Sequence, residues 1–276
     1  MLFKFTQEVG ALIETNGLQK GQEFLRAAKL MSVLEDSGFR NERVRYELLL
    51  AASAKGNRDA MALLPDAWDD FLGTLGRPMR LDFEGTAAKN PESDEYQLDP
   101  APKCIHAVLK NPAKTEFEAA KTKQNSELQK IVDDDQSVRK NFRSLNRNQL
   151  NAMVAEDKKR GARTRQIVEE GELHTAEDFA NASLVMQHSE AFSGYELAHE
   201  LAVCSMLLGD QKFGRWLVAA TYDRMLNSVG HDQRFGTQYN SDEGLGRIDE
   251  AGICNAERQA LGCPTLAEAR NKYGRN

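Results

Sequence analysis

The stretch FGRWLVAATYDRMLNSVG, residues 213–230, is the part of the chain that most directly indicates its fold. Phe213, Leu217 and Ala220 recur at spacings of four and three, which places them on one face of an α-helix. Gly230 is suited to ending that helix. Because this periodicity dominates the chain and alternating strand patterns are scarce, we predict an all-α protein.

Composition limits the classes of function that the 276-residue chain can have. A net charge of -6 at pH 7 gives no general attraction to nucleic acid or to an anionic membrane. The longest apolar run, residues 201–208, is too short to span a bilayer and is expected in the core. The chain starts without the pattern of a secretory leader, and its four cysteines show no CxxC spacing. We therefore expect a soluble, cytoplasmic protein without structural zinc.

Proline and glycine divide the chain into three predicted regions. The first, residues 1–76, is expected to form helical hairpins, with helices at 5–15, 19–36, 41–55 and 57–75. The second, residues 77–115, holds five of the seven prolines and is predicted to be an irregular connector. Within it, residues 79–83 are a candidate for one short strand, and residues 98–100 and 104–109 are candidates to pack across it.

The third predicted region, residues 116–276, is expected to be a helical domain that carries the polar site. Its predicted helices span residues 116–133, 147–170, 175–189, 196–208, 211–229 and 255–272. Thr175 is a predicted N-cap, since acidic residues follow it in the first helical turn. Gly209 and Gly230 are predicted to end the helices before them, and residues 240–251 are predicted to be a loop.

Charged residues interrupt the inward faces of two predicted helices. Continuing the stripe of residues 213–220 by four leads to Arg224, and Asp157 interrupts an apolar stripe on another helix with Arg160 at its flank. Because an unpaired buried charge is costly, we expect Asp157 to approach Arg224, with Asp223 and Arg160 in the same network. An ordinary structural ion pair is the competing interpretation.

Polar residues also cluster near one helix end and in one loop. His188 follows Gln187 near the end of the predicted helix 175–189, away from its most apolar stripe. The loop QRFGTQY, residues 233–239, is rich in amides and hydroxyls. Each has a plain structural interpretation: His188 would be solvated or cap a helix, and the loop side chains would satisfy nearby backbone groups.

These positions resemble a bacterial domain family of unknown function. Its pattern has Gln-His on one helix, Asp-Arg on a later helix, and then Gln-x-[Phe/Tyr]-Gly-Thr-Gln. The matching positions here are Gln187-His188, Asp223-Arg224, residues 233–238, Asp135-Gln136-x-x-Arg139, Asp157-x-x-Arg160, and Arg258 with Leu261-Gly262-Cys263-Pro264. The resemblance covers about residues 130–270 and implies that these polar residues belong to one site; it implies no substrate.

The first functional hypothesis is a hydrolase-like or related acid–base enzyme that acts on a small anionic or peptide-like substrate. The candidate catalytic residues are His188, Asp157 and Asp223, since histidine exchanges protons near neutral pH and a carboxylate can orient it. Arg224 and Arg160, with Arg139 as a further candidate, would bind an anion. The candidate hydrogen-bonding residues for the substrate are Gln187, Gln233, Thr237 and Gln238. No phosphate-binding or dinucleotide motif is present and the five histidines are scattered, so we expect neither cofactor nor metal.

The alternative hypothesis is a non-catalytic helical interaction or scaffold protein. Its N-terminal hairpins would offer a groove to a protein partner, and the Asp–Arg network would only stabilise the fold. An apolar groove among the first helices would favour this alternative. A cavity lined by His188, Arg224 and Gln238 would favour an enzyme or a small-molecule or peptide binder.

Overall fold

The computed structural model describes residue 11 and residues 17–33, 38–81, 100–110, 123–141, 144–240 and 244–274. These residues form eleven helices and one two-stranded antiparallel pair, which confirms the prediction of an all-α protein. The elements are α1 (Gly21–Met31), α2 (Phe39–Ala54), α3 (Arg58–Thr74), α4 (Lys103–Lys110), α5 (Ser126–Arg139), α6 (Arg147–Glu169), α7 (Ala176–Met186), α8 (Phe192–Leu207), α9 (Phe213–Ser228), β1 (Tyr239–Asn240), β2 (Gly244–Leu245), α10 (Asn255–Ala260) and α11 (Leu266–Tyr273).

Side-chain caps explain where many of the helices begin. The oxygen of Thr175 accepts a hydrogen bond from the backbone N–H of Asp178 at 3.0 Å, as its predicted N-cap role requires. Side-chain oxygens also cap α3, α5, α6 and α11, from Asn57, Asn125, Asn146 and Thr265. Gly209 and Gly230 follow α8 and α9 with φ of 107° and 84°, which confirms their predicted place at helix ends.

The predicted strand pair in the connector is wrong. Residues 104–109 lie in α4, because Ile105, Val108 and Leu109 recur at helical spacings and are all buried. Residues 79–81 form no strand, whereas residues 82–83 of that predicted strand and residues 98–99 of the segment 98–100 lie outside the described residues. The helix predicted at 255–272 is two helices, separated by a turn at residues 261–265 that includes Pro264.

Three predicted helices cannot be compared over their whole length. The helix at 5–15 lies outside the described residues except for Ala11, and so do residues 34–36 of the helix at 19–36 and residues 116–122 of the helix at 116–133. The described part of the last, α5, continues to Arg139. The predicted loop at 240–251 contains the end of β1 and the whole of β2, paired as Tyr239 with Leu245 and Asn240 with Gly244.

One hydrophobic core extends from Leu18 to Cys263 and includes buried residues of both the N-terminal and the C-terminal helices. At its centre lies α8, where residues 196–206 are buried on every face. The apolar run that begins at Leu201 is therefore core, as predicted. The predicted region boundaries at residues 76 and 115 remain a prediction.

Polar groups inside this core are paired across helices. The hydroxyl of Tyr46 on α2 lies 2.9 Å from Nε2 of His199 on α8, and Nδ1 of His199 lies 3.1 Å from the Val218 carbonyl oxygen. Burial lowers the pKa of His199 to about 3, so the ring is neutral. Since a carbonyl only accepts, the His199 proton resides on Nδ1, and Nε2 accepts from Tyr46.

Two buried ion pairs join distant parts of the chain. Arg80 donates to both carboxylate oxygens of Glu200, at 2.9 and 3.0 Å. Arg234 donates to both oxygens of Glu47 on α2, each at 2.8 Å, and both side chains are fully buried. The second pair attaches the loop after α9 to α2 with the two-point geometry that guanidinium and carboxylate groups favour.

We predict that Glu47→Ala lowers the free energy of unfolding by about 3–5 kcal/mol, because it leaves the Arg234 guanidinium buried without this carboxylate. Urea denaturation followed by circular dichroism measures the loss. Glu156→Ala is the control, since Glu156 forms only an exposed pair with Lys159 on one helix. Similar small losses in both variants would contradict the role given to the buried pair.

Candidate functional site

The carboxylate of Asp223 holds the loop that follows α9. One oxygen accepts from the backbone N–H groups of Arg234 at 2.7 Å and Phe235 at 2.9 Å. The other accepts from the Thr237 N–H at 3.0 Å and the Thr237 hydroxyl at 2.7 Å. Burial raises the pKa of Asp223, while the four donors act in the opposite direction. All four donors belong to the loop itself, so the Asp223 carboxylate stabilises the conformation of this loop.

The side-chain amides of Gln233 and Gln238 also form hydrogen bonds to other groups of the protein. The Gln233 side chain donates to the Gln238 carbonyl at 2.9 Å and accepts from the Gln238 N–H at 2.8 Å. The Gln238 side chain donates to the Ala220 carbonyl at 3.1 Å and to the Thr237 hydroxyl at 2.9 Å. The side chains of Gln233 and Gln238, predicted to bind substrate, therefore form hydrogen bonds within the loop and to the middle of α9.

We predict that Asp223→Asn costs about 1.5–3 kcal/mol of unfolding free energy, because an amide cannot accept at both of its polar atoms. Chemical denaturation measures the loss, and Asp232→Asn is the control with the same change of atoms. Asp232 forms an ion pair with Arg247, whose side chain is 87% exposed. Equal stabilities of the two variants would show that Asp223 does not organise the loop.

A second polar group, the charged cluster, consists of Asp135 and Arg139 on α5, Asp157 and Arg160 on α6, and His188 after α7. Arg139 donates to Asp135 Oδ1 at 2.8 Å and to both oxygens of Asp157 at 2.9 Å. Arg160 donates to Asp157 Oδ1 at 2.6 Å. These bonds hold α5 against α6 and fix the position of the Asp157 carboxylate.

His188 lies between the charges of α5. Its Nε2 accepts from Arg139 Nε at 3.1 Å, which places the proton of the neutral ring on Nδ1. Nδ1 lies 3.3 Å from Asp135 Oδ1, outside hydrogen-bonding geometry, so that contact is electrostatic. Burial lowers the pKa of His188, Asp135 raises it, and the charges of Arg139 and Arg224 lower it further. The net effect is a neutral imidazole at pH 7.

The expected pair between Asp157 and Arg224 is wrong. Among the described residues, Asp157 forms ion pairs with Arg139 and Arg160, and no carboxylate lies within ion-pair distance of Arg224. Arg224 is half-buried, and its Nε is buried without a hydrogen-bond partner. Phe213, predicted to lead the inward stripe of α9, is 38% exposed. The stripe led to Arg224 but did not identify the neighbours of its side chain.

A cavity of about 380 Å³ lies beside the charged cluster, between α6 and the segment that joins α7 to α8. We call it the α6–α7 cavity. Asp157 and His188 form part of its wall, while Arg224 and Gln238 do not. The lining residues are Val154, Asp157, Lys158, Gly161, Ala162, Arg165, Val185, Met186, His188, Ser189, Glu190, Ala191 and Ser193. The cavity thus combines charged, hydroxyl and apolar groups.

The structure separates the predicted site residues into two places. His188, Asp157 and Arg160 meet in the charged cluster, and Arg224 is close enough to lower the pKa of His188. Asp223 belongs with the loop residues Gln233, Thr237 and Gln238. Gln187 is buried at the end of α7.

Sequence reasoning did not single out Arg165, whose guanidinium lines the cavity and donates to the Ser193 carbonyl at 3.3 Å. Arg165 follows Asp157 by eight residues, about two helical turns, and this spacing indicates that both side chains lie on one face of the helix. Asp135 also received no role, although the family pattern includes it. The predicted helix ended before both Asp135 and Arg139, so no helical face was assigned to them.

No family model matches the chain, and neither the curated proteins nor the solved structures provide a significant match. Within the described ranges, no helix is long and apolar enough to cross a membrane, and no three His, Cys, Asp or Glu residues are grouped as metal ligands would be.

We predict that His188 makes the free energy of unfolding decrease as the pH falls from 7 to 5. The pKa of His188 in the folded protein lies below the ordinary 6.5, so the unfolded chain binds the proton first. Stability is therefore lost as the pH falls from 6.5 toward the pKa of the folded state. His188→Gln should reduce this slope, measured as urea-derived unfolding free energy at several pH values. Burial also raises the pKa of Glu257 to about 7 and lowers that of His199, but both residues are present in both proteins, so their contributions to the pH dependence cancel. Parallel curves would contradict the lowered pKa.

Proposed function

We propose that the α6–α7 cavity binds a small organic anion and that His188 is the acid–base group of a hydrolase-like reaction there. The observation that carries this proposal is the presence of Arg165 and His188 in one cavity wall. Among the described residues, Arg165 has no carboxylate at ion-pair distance, so its charge is available to a ligand. A guanidinium is well suited to a carboxylate or phosphate group.

The charges around the cavity favour an anion. Four guanidinium groups, those of Arg139, Arg160, Arg165 and Arg224, accompany two carboxylates, those of Asp135 and Asp157. Lys158 and Glu190, also in the lining, pair with each other at 2.9 Å. With neutral His188, the region therefore carries an excess of positive charge, which lowers the energy of a bound anion.

His188 can exchange a proton once its imidazole turns so that Nε2 leaves the Arg139 N–H and faces a substrate atom. Arg139 would stay in place, because it also donates to Asp135 and Asp157. The freed Nε2 would then act as a general base, and the nearby Asp135 carboxylate would stabilise the imidazolium that forms. Asp157 is fixed by two arginines and serves here to position Arg139.

The alternative, a non-catalytic interaction protein, has two parts: a structural role for the polar network and a partner groove on the first helices. Only the first part gains support. The hydrogen bonds of Asp223 fit a structural role for that residue. The exposed large apolar side chains among the described residues are Val33, Phe213 and Tyr239, and only Val33 lies on the N-terminal side. The described parts of the first helices therefore expose few large apolar side chains to a partner.

We predict that the protein binds sodium butanoate and that Arg165→Gln weakens this binding about tenfold to a hundredfold, the effect of losing a charge-assisted hydrogen bond. Isothermal titration calorimetry measures it. Arg163→Gln is the matched control: it removes the same charge two residues away, where Arg163 pairs with Glu127 at 2.6 Å. Equal weakening by both variants would indicate a general charge effect and contradict a site at Arg165.

Turnover is tested separately with mono-4-nitrophenyl succinate, an activated ester that keeps a free carboxylate for Arg165 and releases a coloured phenol on hydrolysis. His188→Gln should remain folded and bind butanoate while losing hydrolysis at pH 7. Hydrolysis that survives in His188→Gln would contradict the acid–base role. Absence of hydrolysis in the unaltered protein would limit the cavity to binding.

A further inference from the structure

Gly161 occupies an unusual place, in the interior of the 23-residue helix α6. Glycine is the poorest helix former after proline, so a glycine inside a helix is expected to have a specific reason. A common reason is the close approach of another part of the protein. Gly214 on α9 illustrates it, because a Cβ there would lie 2.8 Å from the Ser205 hydroxyl.

No such contact exists at Gly161. A Cβ built on this residue meets no described heavy atom within 4 Å beyond the local backbone of its own helix. Its φ is not positive either, so the conformation does not demand glycine. The space above Gly161 is the α6–α7 cavity, since this residue is part of the cavity lining.

Helical spacing places Gly161 between the two charged groups of the cavity floor. Asp157 lies one turn before it and Arg165 one turn after it, on the same face of α6. Val185 and Met186, at the end of α7, contribute apolar surface to the same cavity. The floor therefore has a guanidinium at Arg165, a carboxylate at Asp157 and no side chain between them at Gly161.

We propose that the ligand is a short-chain aliphatic carboxylate whose carboxylate group binds Arg165 and whose alkyl chain lies on Gly161. This inference rests on the proposed anion site and adds the class of ligand. Any side chain at position 161 would occupy the space of the alkyl chain. An alkyl chain in contact with Val185 and Met186 would gain affinity by leaving water.

The test is a calorimetric series of acetate, butanoate and hexanoate with the full chain. Affinity should rise on the order of fourfold for each added methylene that is buried, which corresponds to ~0.8 kcal/mol. Gly161→Leu should leave acetate binding nearly unchanged and remove most of the gain for hexanoate. Gly161→Ala, a smaller and clash-free change, should show the same trend and raise the melting temperature through its better helix propensity.

Gly73→Ala is the matched control, because Gly73 also lies in a helix with nothing within 4 Å of its added Cβ, and it does not line the cavity. It should leave the whole series unchanged. If the unaltered protein binds none of the three acids, the proposed function and this inference both fail. If all three bind equally, or Gly161→Leu binds hexanoate as the unaltered protein does, the anion site stands and the assignment of Gly161 is overturned.

Discussion

A carboxylate buried as completely as that of Asp223 has to be hydrogen bonded, and the chain meets this need by turning residues 234–237 back over the end of α9. That turn carries Arg234 into the core, where it meets Glu47 of α2. The Arg234 guanidinium also donates to the carbonyl of Asp249, in the segment that leads to α10. One buried acid thus shapes the loop that carries Arg234 to Glu47 of α2.

Asp223 and Arg224 are neighbours in sequence but act in different places. Successive residues of a helix point about 100° apart, so the two side chains leave α9 in different directions. Asp223 organises the loop, whereas Arg224 contributes positive charge near His188. The resemblance to a family pattern grouped both with one site. The geometry instead supports a structural loop and a separate charged cluster beside a cavity.

Helices, their caps and the buried apolar run could be predicted from sequence because they depend on local spacing and on residues a few positions apart. Thr175 and Gly230 are examples. The contacts of the charged cluster could not be predicted from sequence, because Arg139 and Asp157 come from different helices. Periodicity shows which face of its own helix a residue occupies, but not which residue of another helix it meets. Residues 104–109 were misassigned because β-branched and apolar residues in a short segment fit a strand as well as a helix.

A crystal structure of the protein soaked with hexanoate is the most direct test of the separation between a structural loop and a functional cavity. We expect one hexanoate in the α6–α7 cavity, with its carboxylate at Arg165, its chain over Gly161 and His188 within contact distance. The loop around Asp223 should be unchanged. Hexanoate bound instead at the loop residues Thr237 and Gln238, with only solvent in the cavity, would show that the loop and not the cavity is the functional site.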